Sequence, residues 1–431
     1  VDNFLPGELL ARLEEIGEAD IVVGIPSYNN ARTIGHVVRA VSAGLTKYFT
    51  EYKAIVVNSD GGSKDGTREA VLSTELDTDS LLIVSHPVHP VQRISTPYHG
   101  LPGKGSAFRT IFAMAKHCKA KTCVVVDSDL RSITPQWIEL LAKPVLERDF
   151  DFIAPSYLRH KYDGTITNGI IYPMTRALFG KRVRQPIGGD FGLSGRLAAR
   201  YLEKEVWETD VARFGVDIWM TVTAIAEGFR VGQSYLGAKL HDAKDPGADL
   251  TSMFRQVVGS VFGLMETYQN VWQGVQGSEP VPMFGFPFEV GVEPISVNVE
   301  RMIQAYSQGV SDLREIYQGF LAPQTLEALG NCAQQPHGQF HLPDEVWVHL
   351  IYEFAAAWQH HTLDRDHLLQ SLVPLYLGRT ASFVIEVRES SAAEVEQRIE
   401  QLCTIFEAEK PYLLQLWAAE AGKEMTHAKS I

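Results

Sequence analysis

With 431 residues, 45% of them hydrophobic and 21% charged, the chain can bury a large core. That excludes the disordered and low-complexity classes, and the length predicts two domains. A formal net charge of -13 argues against general nucleic-acid or membrane-surface binding and leaves room only for a local basic pocket that takes an anionic substrate.

Cys118, Cys123, Cys332 and Cys403 show no CxxC spacing and read as buried thiols of a reducing compartment. No apolar stretch approaches the roughly 18 residues that span a bilayer, and no signal-peptide pattern opens the chain. The expectation is a cytoplasmic protein whose N terminus, lacking Met, is trimmed.

In chain order, "ADIVVGIPSY" (19–28), "KAIVVNSD" (53–60), "SLLIVSH" (80–86) and "TCVVVDSD" (122–129) are short β-branched runs closed by polar or Gly/Pro residues. Amphipathic segments separate them, which predicts an α/β fold with a mostly parallel sheet covered on both faces. Further strands are predicted at 150–156 and 229–236, and helices near 135–147, 167–180 and 215–227. Gly- and Pro-rich residues 276–294 read as a crossover, dividing a domain over 1–275 from an all-helical one over 290–431. In the second domain Trp347, Leu350, Ile351, Phe354 and Trp358 share one helical face. Val395, Ile399, Leu402 and Phe406 share another, behind a capping box from Ser391 to Glu394.

Ligands of an open parallel sheet gather beyond the carboxyl ends of its strands. Asn29 and Asn30 follow the first predicted strand, Asn58, Ser59 and Asp60 close the second, and Asp127, Ser128 and Asp129 close the fourth. Asn29, Asn30 and Asn58, taken singly, are ordinary turn and cap residues. Two carboxylates at one strand end are different, because burying them without positive charge is costly. They suit a divalent cation that also takes oxygens from a nucleotide diphosphate. Next, in "HGLPGKGSAFRTIFAMA" (99–115), glycines flank Lys104 ahead of a helix, either as a phosphate seat or simply as a turn. Gly105 after Lys104 excludes a Walker A loop, and no GxGxxG follows the first strand.

"IPSYNNARTI", "VNSDGGSKDGTRE", "GKGSAFRT" and "VVVDSDL", in this order, resemble the nucleotide-sugar half of a GT-A glycosyltransferase. "QPIGGDFGLSGR" (185–196), "FGVDIWM" (214–220) and "AKLHDAKDP" (238–246) narrow the resemblance to retaining enzymes of the mannosylglycerate synthase and glucosyl-3-phosphoglycerate synthase type. The helical half is loosely similar to the C-terminal domain of the former. The resemblance implies Mg²⁺ or Mn²⁺ held by Asp129 and His241, with Asp127 by the ribose and metal-bound waters and Ser128 between them on the donor side. It implies Pro26, Tyr28 and Asn29 at the base, Asp60 at the nucleoside and Lys104 at the diphosphate. Asp190 and Asp217 are the implied acids beside the sugar, each also readable as a helix-cap carboxylate.

The implied acceptor loop is "HKYDGTITNGIIYPM" (160–174), contributing Gly164, Thr165 and Thr167. Thr165 stands where the phosphoglycerate enzymes carry an arginine, so a small carboxylate such as glycerate is expected ahead of 3-phosphoglycerate. Lys244, Arg159 and Lys161 are the cations that would compensate, unless they are solvated surface charges. Two rival classes are an inverting GT-A enzyme of polysaccharide or lipid-linked glycan synthesis and a nucleotide-sugar-binding regulator without catalysis. The first lacks its membrane segment and its ED and QxxRW-like motifs here, and the second is disfavoured by the intact Asp127, Asp129, Lys104 and His241. The aromatic face of Trp347, Phe354 and Trp358 predicts either a homodimer through the helical half or an internal core.

Overall fold

The computed structural model describes residues 5–74, 92–97, 103–240, 251–287 and 291–419. The strands are β1 (Ile21–Ser27), β2 (Ala54–Asp60), β3 (Gln92–Pro97), β4 (Thr122–Val125), β5 (Phe152–Leu158), β6 (Lys181–Arg182), β7 (Phe191–Ser194), β8 (Val231–Ala238), β9 (Glu279–Pro280) and β10 (Met283–Phe284). Eight of them form one sheet in the order β10-β8-β5-β7-β4-β1-β2-β3, while β6 and β9 pair separately. All neighbours in the large sheet are parallel except β7, which runs antiparallel to both β4 and β5. β1, β2 and β8 are buried along their whole length; in β1 and β2 the Val/Ile runs are those expected of strands covered on both faces.

Most predicted elements form close to their expected limits. The helices are Pro135–Arg148, a π-helical turn Thr167–Ile171 continuing into Tyr172–Phe179, and Val216–Ala226. The predicted strand at 80–86 lies outside the described residues. All four cysteines are buried, as read.

The chain does not divide at a single break near 275–290. One compact unit comprises Val1–Arg159, Val183–Ala243 and Pro280–Glu293, and the other His160–Arg182, Lys244–Glu279 and Pro294–Ile431. Residues 160–182 leave the sheet after β5 and pack within the helical unit, where Arg176 bonds Glu407 at 2.7 Å and Trp347 donates to the Gly169 carbonyl at 2.8 Å. Tertiary contacts of this kind are invisible in hydropathy patterning.

Within the helical unit, Trp347 and Phe354 are fully buried and Trp358 nearly so. That corrects the reading of this face as a dimer surface: Phe354 meets Phe320 edge-on at 4.9 Å, and Trp358 packs on Phe262 and Arg365. The expected capping box is present, with Ser391 and Glu394 bonding each other's backbone. One helix, Arg365–Glu386, is long and apolar enough to cross a membrane by length and composition, contrary to the sequence reading, and 72% of its apolar window is buried in this unit.

The same unit holds a half-buried Asp344 between Arg379 and Arg398, each at 2.7 Å. Burial works to raise this carboxyl, but the two guanidinium groups outweigh it and hold it below the ordinary range. A depressed folded-state value contributes stability above the unfolded carboxyl value of about 3.9, which is lost as pH falls through the folded value. Thermal unfolding at neutral and strongly acidic pH tests this. Asp344→Asn is expected to lose about 3 kcal/mol at neutral pH and to show a smaller acid-induced drop than wild type.

Candidate active site

The site is built at the carboxyl ends of β1, β2 and β4. Asp60 is 1% exposed and both its oxygens are committed locally. They accept from Ser27 Oγ (2.9 Å), Ser63 Oγ (2.6 Å) and the N–H groups of Gly62 (2.9 Å) and Ser63 (2.8 Å). Asn58 is likewise buried, donating to Ile25 O and Ser27 Oγ. Asn29 adopts φ 55° and accepts from Lys64 N–H, so the turn after β1 is fastened to the loop after β2. Asn30 Oδ1 accepts from Ser128 Oγ at 2.9 Å, and Thr33 donates to Ser128 O at 2.8 Å, which ties in the turn after β4. Pro26 is buried at the end of β1, whereas Tyr28 projects, 64% exposed.

Asp127 has two counter-charges. Lys104 Nζ lies 2.8 Å from its Oδ1 and Lys239 Nζ 2.8 Å from its Oδ2. Lys239 was not singled out from the sequence. It is almost wholly buried and also bonds Asp190 Oδ2 at 2.9 Å and Gly188 O at 2.7 Å, satisfying all three ammonium donors. Asp190 is fully buried and further accepts from Asp127 N–H at 2.8 Å and from the Tyr157 hydroxyl. Its place is under Asp127 rather than at an open face beside a sugar. Gly189, at φ +90°, brings the chain so close that an added Cβ would lie 2.1 Å from Asp127 Oδ2.

Lys104 also reaches Asp217 Oδ2 at 3.1 Å. The glycines beside it explain how. A Cβ on Gly105 would sit 1.9 Å from Val211 O, and one on Gly103 2.4 Å from Ala212 O. Gly105 N–H bonds Arg213 O at 3.3 Å, so the segment leading into helix Val216–Ala226 lies flat on the first turn of helix Lys104–His117. These glycines serve close backbone packing, and that N–H is not available as a phosphate seat. Gly105→Ala is expected to lose about 1–3 kcal/mol by overpacking, read as a lower denaturant midpoint at unchanged slope.

Burial would raise Asp127, but Lys104 and Lys239 outweigh it and hold the carboxyl far below its ordinary range. Burial would lower both lysines, and the carboxylates instead hold them above theirs. Asp190 and Asp217 are pushed up, chiefly by burial. Asp217, 7% exposed, leaves Oδ1 with no hydrogen-bond partner.

Asp129 is half-buried, and its carboxylate has no partner among the described residues. No cluster of three or more His, Cys, Asp or Glu side chains able to hold a metal occurs among them. His241 and Lys244 lie outside the described residues. Leu240, the last described residue before them, bonds Arg131 N–H at 2.8 Å and donates to Ser132 Oγ at 2.9 Å, just past Asp129. A carboxylate without a partner beside a second carboxylate is a hard oxygen donor set of the kind Mg²⁺ and Mn²⁺ take.

In the helical unit Gly164 adopts φ +67°. Thr165 and Thr167 are buried, and the Thr165 hydroxyl is committed to Tyr376 at 2.6 Å. The Thr165 hydroxyl is therefore taken up by Tyr376 within this unit. Lys161 is half-buried and donates to the carbonyls of Val387 (3.0 Å) and Ser390 (3.3 Å).

A mostly parallel sheet with one antiparallel strand and with polar groups gathered at three strand ends is the GT-A, Rossmann-like architecture of nucleotide-sugar transferases. Residues 22–207, a little under half of the chain, match Glycosyl transferase family 2. No curated protein matches it significantly. Among solved structures it is similar to glucosyl-3-phosphoglycerate synthase from Mycobacterium tuberculosis in complex with Mn²⁺, UDP and glucosyl-3-phosphoglycerate, at 22% identity and TM-score 0.44, covering 60% of this chain and 85% of that one. The same enzyme with Mn²⁺, UDP and phosphoglyceric acid matches at 21% identity and TM-score 0.42, over 60% and 84%. A further mycobacterial protein matches at 23% identity and TM-score 0.43, over 60% and 80%.

Proposed function

We propose that this chain is a metal-dependent retaining hexosyltransferase that moves glucose or mannose from a UDP- or GDP-sugar to a small carboxylate acceptor, glycerate or 3-phosphoglycerate. The observation that carries the reading is the Lys104–Asp127–Asp217 cluster beside the unpartnered Asp129 at the sheet's carboxyl edge. Asp129, with His241 directly after Leu240, would hold Mg²⁺ or Mn²⁺, which when bound supplies charge for the departing diphosphate. Tyr28, Pro26 and Asn29 would border the base, and Lys104 would stabilise the negative charge developing on the leaving group. Asp217 Oδ1, buried without a partner, would accept a hydroxyl of the sugar or acceptor. The acceptor oxygen attacks the anomeric carbon on the face the diphosphate leaves, and its proton passes to the leaving phosphate. Asp190 acts by positioning Asp127 and Lys239.

The test is a screen of UDP- and GDP-hexoses with Mn²⁺ against glycerate and 3-phosphoglycerate, followed by NMR of the product. An anomeric configuration matching the donor supports the reading, and an inverted one refutes retention. Turnover of glycerate ahead of 3-phosphoglycerate is expected, and the reverse preference would overturn the acceptor order.

A further inference from the structure

Three carboxylates, Asp127, Asp190 and Asp217, share the two ammonium groups of Lys104 and Lys239, and they are not served equally. Lys239 is fixed by Asp127, Asp190 and the Gly188 carbonyl. Asp190 accepts in addition from Asp127 N–H and the Tyr157 hydroxyl. Asp217 has one side-chain partner among the described residues, Lys104, which stands 3.1 Å from its Oδ2 and closer, at 2.8 Å, to Asp127 Oδ1. Its Oδ1 has no partner, although the residue is only 7% exposed. Burial pushes this carboxyl up against the pull of Lys104; Asp127 adds to the push, and Lys239 opposes it from further off. Of the other charges on neighbouring elements, Asp210 and Arg213 face each other at 3.8 Å, and Arg159 lies over the Tyr157 ring.

Resting on the functional reading above, in which Lys104 meets the diphosphate, we infer that Asp217 takes up a proton when the nucleotide binds and works as a neutral carboxylic acid beside the sugar. While Lys104 is in place, the ionised Asp217 has a counter-charge. A nucleoside diphosphate draws the ammonium, still protonated, toward its own oxygens and brings further negative charge to the cluster. Asp127 keeps Lys239, and Asp190 keeps Lys239, Tyr157 and the Asp127 N–H. The carboxylate left without a partner is therefore Asp217. A proton from solvent forms an O–H bond at Oδ2, where Lys104 stood, and no other bond is made or broken. A buried carboxylate facing a polyanion is thereby replaced by a group that donates from Oδ2 and still accepts a hydroxyl at Oδ1.

The measurement is calorimetry of UDP and GDP binding in saturating Mg²⁺ near neutral pH, in Tris and in PIPES, whose different ionisation enthalpies report the protons exchanged. Wild type is expected to take up on the order of one proton more per nucleotide than Asp217→Asn, whose amide is neutral throughout. Taking the difference cancels the protons exchanged by the nucleotide itself. Uptake on binding means that wild-type affinity falls as pH rises, by up to about tenfold per unit, and Asp217→Asn should lack this component. Asp217→Ser serves the same comparison should the Asn variant fail to fold. A merely structural Asp217 would lower affinity in the variants without changing the proton count. Equal uptake in wild type and a folded variant, or a pH dependence that survives the substitution, would overturn this inference and leave the donor reading standing. Wild type that binds neither nucleotide would overturn the functional reading and this inference with it.

Discussion

Lys239→Met is expected to destabilise the protein by about 3–5 kcal/mol, because it leaves the buried Asp190 and the half-buried Asp127 without their shared cation. Asp190 has no exposed surface, and Asp127 keeps only the more exposed Lys104. The methionine nearly preserves volume, so the loss isolates charge. Asp190→Asn in the Lys239→Met background should recover part of the deficit, since removing both members of a buried pair costs less than removing one. The pH dependence has a definite sign. Asp190 already binds its proton more readily in the folded state, chiefly because it is buried. Without Lys239 that preference increases, so the deficit of Lys239→Met should shrink as pH falls from neutral. Denaturant unfolding checks both points, and a variant within about 1 kcal/mol of wild type at neutral pH would show that the pair is not the frame of the site.

Asp129→Ala is expected to do the opposite. The carboxylate has no partner among the described residues, so its removal should change stability by no more than about 0.5 kcal/mol. It should nevertheless weaken Mn²⁺-dependent binding of UDP or GDP by about a hundredfold, as the loss of one of the cation's few protein ligands would. Calorimetry with nucleotide and Mn²⁺, alongside a melting curve, separates the two effects. Unchanged affinity would remove Asp129 from the metal site.

The contrast between these residues shows what the sequence could reveal. Asp127 and Asp129 announce themselves because a run of Val must be buried and ends in acids, so a counter-charge is needed. The sequence names one cation readily, Lys104, since glycines frame it. Lys239 is silent. It follows a strand of small and apolar residues, and its partners Asp127 and Asp190 lie 112 and 49 positions away. The usable signal was physical: a lysine continuing a fully buried strand such as β8 has no route to water and must end on acids. Gly103 and Gly105 were legible as special, but not why, because the backbone they admit comes from residues 211–213. The four-residue β7 carries a motif whose glycines hide its strand character, and its antiparallel pairing depends on β4 and β5 being brought alongside. Thr165 reads as a polar loop residue until Tyr376 claims its hydroxyl. Periodicity located the elements, and long-range pairing decided what their ends do.

The most direct test of the account is release of nucleoside diphosphate from UDP-glucose and GDP-mannose by wild type, with Mn²⁺ and with EDTA, in the presence of glycerate or 3-phosphoglycerate. The account predicts release from one donor, matched by a hexosylated acceptor, abolished by EDTA and absent in Asp129→Ala. Release that persists undiminished in EDTA, or none from either donor with either acceptor, would contradict it.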